Sequence, residues 1–274
     1  MSRGTLAVAL IHEIFASSDG SERLRSRLRE AREAGAELAI LPELPLDGWA
    51  PAGRNARDED AEAPGGPRHE TMAAAAREAG IGLLGGLILA DPRSRRRSNR
   101  ALLFDAAGRL VASYDKLHIP SEEGFWESDH YEEGGEPPRP IDGFGLRLGI
   151  QICSDLNRPQ GCQLLAARGA EAILAPRATP GASYDRWLLV SRANALTSAA
   201  YVVSVNRPGP EAGVDVGGAS FVVGPDGGVV AETTDPVRVV ALERAAVSAA
   251  RRDYPGYLTF RPELFGRGWS EVEG

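Results

Sequence analysis

Lysine is all but missing from this chain. Of 31 basic residues in 274, thirty are arginine and one is lysine, Lys116. Wherever only positive charge is wanted the chain uses arginine. A lysine that persists under that bias is a candidate for work a guanidinium cannot do, because a compact ammonium can shift its pKa and give up a proton. A leftover surface lysine is the other reading. Cysteine is scarce too. Cys153 and Cys162 are too few for a secreted disulfide scaffold, and their spacing fits no zinc pattern. No apolar run approaches the roughly 20 residues of a membrane span. The start, Met1 to Ile14, has neither a long apolar core nor a small-residue cleavage site. Positive charge is in deficit overall, with a net charge of −7, which argues against a nucleic-acid partner. Long repeats and an interdomain linker are also lacking. These absences lead to the expectation of a cytoplasmic protein with reduced thiols, touching neither membrane nor nucleic acid.

What is present is ordinary for a globular chain: 43% hydrophobic and 25% charged residues. A chain of this length buries about 75% of the surface its unfolded form exposes, so it needs no metal or disulfide to fold. Short apolar runs alternate with amphipathic stretches. Thr5–Ile11 reads as a strand, Ser21–Ala34 as a helix with Leu24, Leu28 and Ala31 on one face, and Glu37–Leu41 as the next strand. Trp49–Pro67 is rich in Pro, Gly and acids and reads as a loop long enough to cover a site. A helix over His69–Ala79 precedes strands at Ile81–Leu89, Ala101–Phe104 and Leu110–Tyr114. The arginine-rich Asp91–Arg100 reads as a solvated hairpin tip. Further on come a strand over Arg147–Ile152, a helix over Gln160–Arg168, a strand at Ala172–Ala175, a helix over Tyr184–Ser198 and an extended Tyr201–Asn206. A hairpin over Ala219–Glu232 and a strand at Val237–Leu242 follow. Strand–helix alternation with hairpins predicts one α/β domain, 1–274.

Three residue types that carry chemistry stand where predicted strands run out: Glu43, Lys116 and Cys153. Ligands gather at strand ends in α/β folds. Cys153 sits between a buried strand and a turn into a helix, where backbone N–H groups can flank a nucleophile. Each residue has a plainer reading. A cysteine at a strand end is often a small core residue, as Cys162 also reads, and Glu43 could cap a turn. The histidines, His12, His69, His118 and His130, show no ligand spacing and read as structural or pocket-lining.

Taken together the blocks are recognisable. Leu41-Pro42-Glu43-Leu44-Pro45-Leu46-Asp47-Gly48-Trp49, Tyr114-Asp115-Lys116-Leu117-His118-Ile119-Pro120 and Gly149-Ile150-Gln151-Ile152-Cys153-Ser154-Asp155 occur in that order. They resemble the three signature blocks of the nitrilase superfamily of carbon–nitrogen hydrolases, and the likeness runs along nearly the whole chain. The resemblance implies an α-β-β-α sandwich and a Glu-Lys-Cys triad. Cys153 would be the nucleophile, Glu43 the general base, and Lys116 the catalytic lysine. Glu127, in Gly124-Phe125-Trp126-Glu127, matches a further glutamate that positions the triad; its other reading is a solvated loop carboxylate. Ser154, Arg158, Trp126 and Arg177 are the residues expected to meet substrate. Such a triad needs neither metal nor organic cofactor.

The nucleophile block departs from the family pattern. Ser154, Arg158 and Gln160 stand where two aromatics and a carboxylate are usual. That change leaves the triad and alters the pocket wall, so the resemblance implies an uncommon substrate. Arg158 faces solvent, pairs with an acid, or binds a substrate carboxylate. The Lys116–Glu127 segment most resembles the branch acting on N-carbamoyl amines and linear amides. An ω-amidase or a nitrilase is the alternative within the class, and an inactive binding or scaffold member is the alternative outside it. The resemblance also implies a homo-oligomer, a dimer or larger. The aromatic tail, 254–274, with Tyr257, Phe260, Phe265 and Trp269, is expected to pack on a partner subunit.

Overall fold

Alternation along β1 sets the architecture. In this strand (Thr5–Ile11), Leu6, Val8 and Leu10 face one apolar layer and Ala9 and Ile11 another. A strand buried on both faces must lie between two layers of structure. The computed structural model describes residues 4–272; Met1–Arg3 and Glu273–Gly274, the ends of the expected domain and tail, lie outside the described residues. Along the chain β1 is followed by α1 (Gly20–Glu33), β2 (Leu38–Ile40), β3 (Ala61–Glu62), α2 (Pro67–Ala79), β4 (Gly82–Ala90), β5 (Arg97–Phe104) and β6 (Leu110–Asp115). The second half holds β7 (Ile141–Phe144), β8 (Leu146–Ile150), α3 (Gln160–Ala167), β9 (Ala172–Arg177), α4 (Tyr184–Ser198), β10 (Tyr201–Asn206), β11 (Ser220–Val223), β12 (Val229–Thr233) and β13 (Val237–Glu243). Two helices close the chain, α5 (Arg244–Arg252) and α6 (Pro262–Trp269).

The strands form two sheets. One runs β13-β1-β2-β4-β5-β6, with β3 beside β4, and the other β12-β11-β10-β9-β8-β7. Each has a parallel centre. Val8 pairs with Leu38 and Leu38 with Gly82 in the first, and Leu148 with Ala172 and Ala172 with Tyr201 in the second. Between the sheets lies a core that includes Leu10, Ile40, Leu84, Ile150, Leu174 and Val203. Helices α1 and α2 cover the outer face of the first sheet through Leu24, Leu28, Met72 and Ala76. Helices α3 and α4 cover the second through Cys162, Leu165 and Ala195. This is the α-β-β-α sandwich.

Most elements fall within a few residues of the sequence reading, and β10 and α4 match it at both ends. The sequence reading assigns nothing to β7, α5 or α6. The burial of β7 is broken, and α6 buries none of its own residues, so neither carries a strong periodic signal. The Trp49–Pro67 segment is more ordered than a loop, with two short 3-10 turns and β3. Buried Trp49 anchors it by donating from its indole to the Gly124 carbonyl at 2.8 Å. The Pro51 carbonyl in turn accepts the Trp126 N–H at 2.9 Å, tying this segment to the residues just before Glu127.

Strand direction explains why the catalytic candidates meet. β5 is antiparallel to β4 and β6 to β5, so β6 points the same way as β4 and β2. Lys116, directly after β6, and Glu43, just past β2, therefore leave the first sheet at the same end.

Candidate active site

Four side chains singled out from the sequence converge. Lys116 is fully buried, and its ammonium donates to Glu43 Oε1 at 2.8 Å and to Glu127 Oε2 at 2.5 Å. Glu127 stands in a 3-10 turn, Glu127–Asp129, and is wholly buried rather than solvated. Cys153 opens the turn Cys153–Asn157 after β8, at φ 46°. Left-handed backbone at a non-glycine residue costs about 1–2 kcal/mol, and strain of this kind concentrates at functional sites. Here it lifts Cys153 out of the strand direction into a cleft that Glu127 also lines.

The electrostatics follow from burial. Desolvation works against the Lys116 ammonium, but the carboxylates of Glu127 and Glu43 outweigh it and raise its pKa, so it stays charged. Burial raises the Glu127 pKa, with Lys116 opposing and Glu43 adding to the rise. Burial also pushes the Cys153 thiol well above its usual value, and the Glu43 carboxylate pushes it further. The thiol is therefore protonated at rest, with Sγ donating to the Ala178 carbonyl at 3.6 Å. An ammonium has three N–H donors, and two are engaged by carboxylates, which leaves one for a developing oxyanion. Glu43 Oε2 and Glu127 Oε1 are buried without a hydrogen-bond partner. Unpaired carboxylate oxygens in the interior are costly. Glu127 lines the cleft, so its free oxygen is an acceptor at the cleft wall, while Glu43 shares the same ammonium without lining the cleft.

Several supporting residues carry no role in the sequence reading. Asn99 Nδ2 donates to Glu43 Oε1 at 2.8 Å and to Tyr131 Oη at 3.2 Å, while the Tyr131 hydroxyl donates to Glu127 Oε2. Asp155 is fully buried and accepts the Leu117 and His118 N–H groups at 3.1 and 3.0 Å, the Ile152 N–H at 3.0 Å, and the Tyr114 hydroxyl at 2.9 Å. It ties the Lys116 loop to the Cys153 turn. Arg207 donates to the carbonyls of Glu43, Leu44 and Asp47 at 2.9, 2.6 and 3.0 Å and pairs with Glu211 at 2.6 Å. It fixes the Glu43 loop, in which Leu44 has φ 47°. Asp155 lies in a block that carries the family resemblance, so its presence was readable; Tyr131, four residues after Glu127, had no such signal.

The cleft has a volume of about 260 Å³, and its walls include Phe125, Ser154, Thr179, Arg186 and Trp187. Ser154 is thus at the site, with its hydroxyl donating to the His118 carbonyl at 2.5 Å. The other three residues expected to meet substrate are not among the cleft's lining. Arg158 is exposed and borders a separate groove with His118, Gln160 and Trp269. It lies past the end of the short turn that carries Cys153, where the chain has already swung away from the cleft. The Trp126 ring is covered by the Arg54 guanidinium, 3.5 Å from its centroid. Arg177 is fully buried and bonded inward. Among the described residues no His, Cys, Asp or Glu cluster could hold a metal ion, and no helix is long and apolar enough to cross a membrane.

The family described as carbon-nitrogen hydrolase matches residues 7–252. An N-carbamoylputrescine amidase of Arabidopsis thaliana is 25% identical, covering 95% of this chain and 92% of its own. An omega-amidase of Homo sapiens is 27% identical, covering 97% and 98%. The crystal structure of an amidase from Nesterenkonia sp. superposes with a TM-score of 0.80 at 26% identity, covering 97% of both chains.

Proposed function

Because the chain belongs to the carbon-nitrogen hydrolase family, we propose that it cleaves a linear amide or N-carbamoyl compound through a thioester on Cys153. The observation that carries this reading is the buried Lys116 ammonium, held by Glu43 and Glu127 beside a cysteine on a strained turn. An amide carbon is a poor electrophile, so a thiolate is required, and the resting thiol is protonated. Glu43 takes the Sγ proton as sulfur attacks the carbonyl carbon. The carbonyl π pair moves to oxygen, where the remaining Lys116 N–H and the Ser154 backbone N–H receive the charge. Glu43 then returns the proton to the leaving amine nitrogen as the C–N bond breaks. In the second half Glu43 takes a proton from water, which attacks the thioester, and the thiol leaves with that proton. Glu127, through its free oxygen, accepts an N–H of the substrate and keeps Lys116 in place.

A second reading, an omega-amidase acting on a dicarboxylic monoamide, is favoured by Arg186. Its exposed guanidinium stands at the cleft without an ion pair among the described residues, available to a distal carboxylate. We further propose a cytoplasmic setting, which suits the free thiols, and packing of the tail on a second copy of the chain. Tyr254, Tyr257, Phe265 and Trp269 are all more than half exposed in the single chain. Light scattering that gives a monomer overturns the last point. The functional reading is tested with N-carbamoyl amines, simple linear amides and dicarboxylic monoamides, followed by mass spectrometry of product and of trapped acyl-enzyme. Turnover with an acyl adduct on Cys153, lost in Cys153→Ala, is the expected result. No thiol-dependent turnover of any of these compounds would leave a binding or scaffold member.

A further inference from the structure

Among the described residues two arginines are fully buried, and they are partnered differently. Arg207 is paired with Glu211. Arg177 has only neutral partners among the described residues: Nε donates to Ser204 Oγ at 2.8 Å, Nη1 to Thr179 Oγ1 at 2.5 Å, and Nη2 to the Ala219 carbonyl. The guanidinium also lies over the Phe221 ring, 4.9 Å from its centroid. A buried charge without a counter-charge is among the costlier features a fold can carry. Burial lowers the Arg177 pKa to about 10, which still leaves it charged near neutrality.

Its place in the fold gives the charge a use. Arg177 ends β9, and the next carbonyl, that of Ala178, is the one Cys153 Sγ rests against. Thr179, the residue after, lines the cleft, and its hydroxyl is held by Arg177 and Asn206. The guanidinium thus sits behind the strand edge on which the nucleophile lies.

The surrounding charges are unbalanced without it. When Glu127 is ionised, Glu43 and Glu127 set two negative charges against the one positive charge of Lys116, and the buried Asp155 carboxylate stands two residues from a sulfur that must itself become negative. Arg177 offsets part of this excess. The other titratable groups facing it are neutral. His12 has its pKa lowered by burial and by Arg177, and Tyr184 has its pKa raised by burial. At the cleft Arg186 and Glu122 carry opposite charges.

We infer that Arg177 is a positioning residue acting through Cys153, a buried and uncompensated cation behind the Ala178–Thr179 edge that stabilises the thiolate of the nucleophile. The inference rests on Cys153 being the nucleophile of the proposed hydrolysis. As the proton passes from Sγ to Glu43, negative charge moves from the carboxylate to sulfur, and then to the substrate oxygen as the S–C bond forms. Arg177 favours the first of these transfers without touching the substrate.

The test uses the full chain carrying Cys162→Ala, with the rate of Cys153 alkylation by chloroacetamide followed against pH by intact mass. Arg177→Gln keeps an N–H donor and loses the charge. Its alkylation profile is expected to move to higher pH, with modification at pH 7 about tenfold slower, the equivalent of one pKa unit. Arg177→Lys keeps the charge and loses the three-way fork; its profile should stay within about twofold of the parent even if its Tm falls. An unmoved profile in Arg177→Gln overturns the inference, whatever the Tm. So does a profile in Arg177→Lys displaced as far as that of Arg177→Gln. If Arg177→Gln does not fold, Arg177→Lys decides alone, an unmoved profile supporting the inference and a displaced one overturning it. No amide substrate enters the measurement, so its outcome is separate from the loss of turnover in Cys153→Ala.

Discussion

The carboxylate of Asp155, two residues beyond Cys153, accepts the backbone N–H of His118, two residues beyond Lys116, at 3.0 Å. The same oxygen receives the Leu117 N–H and contacts the His118 ring at Nδ1, while the other takes the Ile152 N–H and the Tyr114 hydroxyl. Through this one buried carboxylate, a loop leaving the first sheet is tied to a turn leaving the second. Burial and the Asp155 charge together raise the Tyr114 pKa, so the tyrosine remains a donor.

Asp155→Asn should separate the two loops. An amide places N–H donors against N–H donors that the carboxylate now accepts. We expect kcat to fall about 100-fold, the scale of a misplacement near 1 Å, and stability to fall by about 2–3 kcal/mol. Steady-state turnover and urea unfolding check both numbers; full activity in a folded Asp155→Asn protein would dismiss the clamp.

Lys116→Arg keeps the charge and should still abolish turnover. The ammonium is fully buried between two carboxylates, where a guanidinium is larger and presents its donors in a plane. Loss of one oxyanion donor costs about 10²–10³ in kcat, and displacement of Glu43 adds to it. Turnover assays on a variant shown by circular dichroism to be folded make the comparison; retention of more than a tenth of the activity refutes the assignment.

The scarcity of lysine was enough to single out Lys116, and strand ends were enough to mark Glu43 and Cys153 as candidates, because both signals are local in sequence; the family resemblance grouped the three. Buried apolar runs at Thr5–Ile11 and Ala172–Ala175 made an α/β domain legible, and the sandwich itself came from the family resemblance. What sequence could not supply was orientation. Arg158 follows Cys153 by five residues and yet faces a different groove, and Arg177 turns inward from a strand end whose neighbours face the cleft. Tyr131 and Asn99 meet only because a 3-10 turn and a strand end are brought together by tertiary packing. Likewise, the chain's acidity gave no hint that an unpaired cation lies inside.

Arg207→Lys tests how far the Glu43 loop depends on its anchor. The guanidinium reaches three carbonyls of residues 43–47 and the Glu211 carboxylate at once, which a single ammonium cannot do. We expect a loss of about 2–4 kcal/mol of stability, the range for disrupting a buried pair. The fall in kcat should be greater than the change in KM, because the loop carries Glu43, the proposed general base, and does not itself line the cleft. A variant with unchanged kcat would show that β2 alone holds Glu43.

Glu127→Gln should remove a pH dependence of stability. Burial raises the Glu127 pKa in the folded chain to about 7, above the ordinary carboxylate value, so folding takes up a proton in the interval between the two. The contribution of this group to stability is therefore fully present below the ordinary value and is lost as pH rises to about 7. Glutamine has no such dependence, while its oxygen can still accept from Lys116 and Tyr131. The stability of the parent minus that of Glu127→Gln should fall on the order of 1–3 kcal/mol between pH 4.5 and 8, measured by urea unfolding at matched ionic strength. Other titrating groups are common to both proteins and largely cancel in the difference. A difference that grows with pH instead would mean that the Lys116 ammonium more than offsets burial and that Glu127 is ionised throughout. Turnover should fall in the same variant, because the amide of glutamine replaces the free acceptor oxygen at the cleft with either a donor or a second, neutral acceptor.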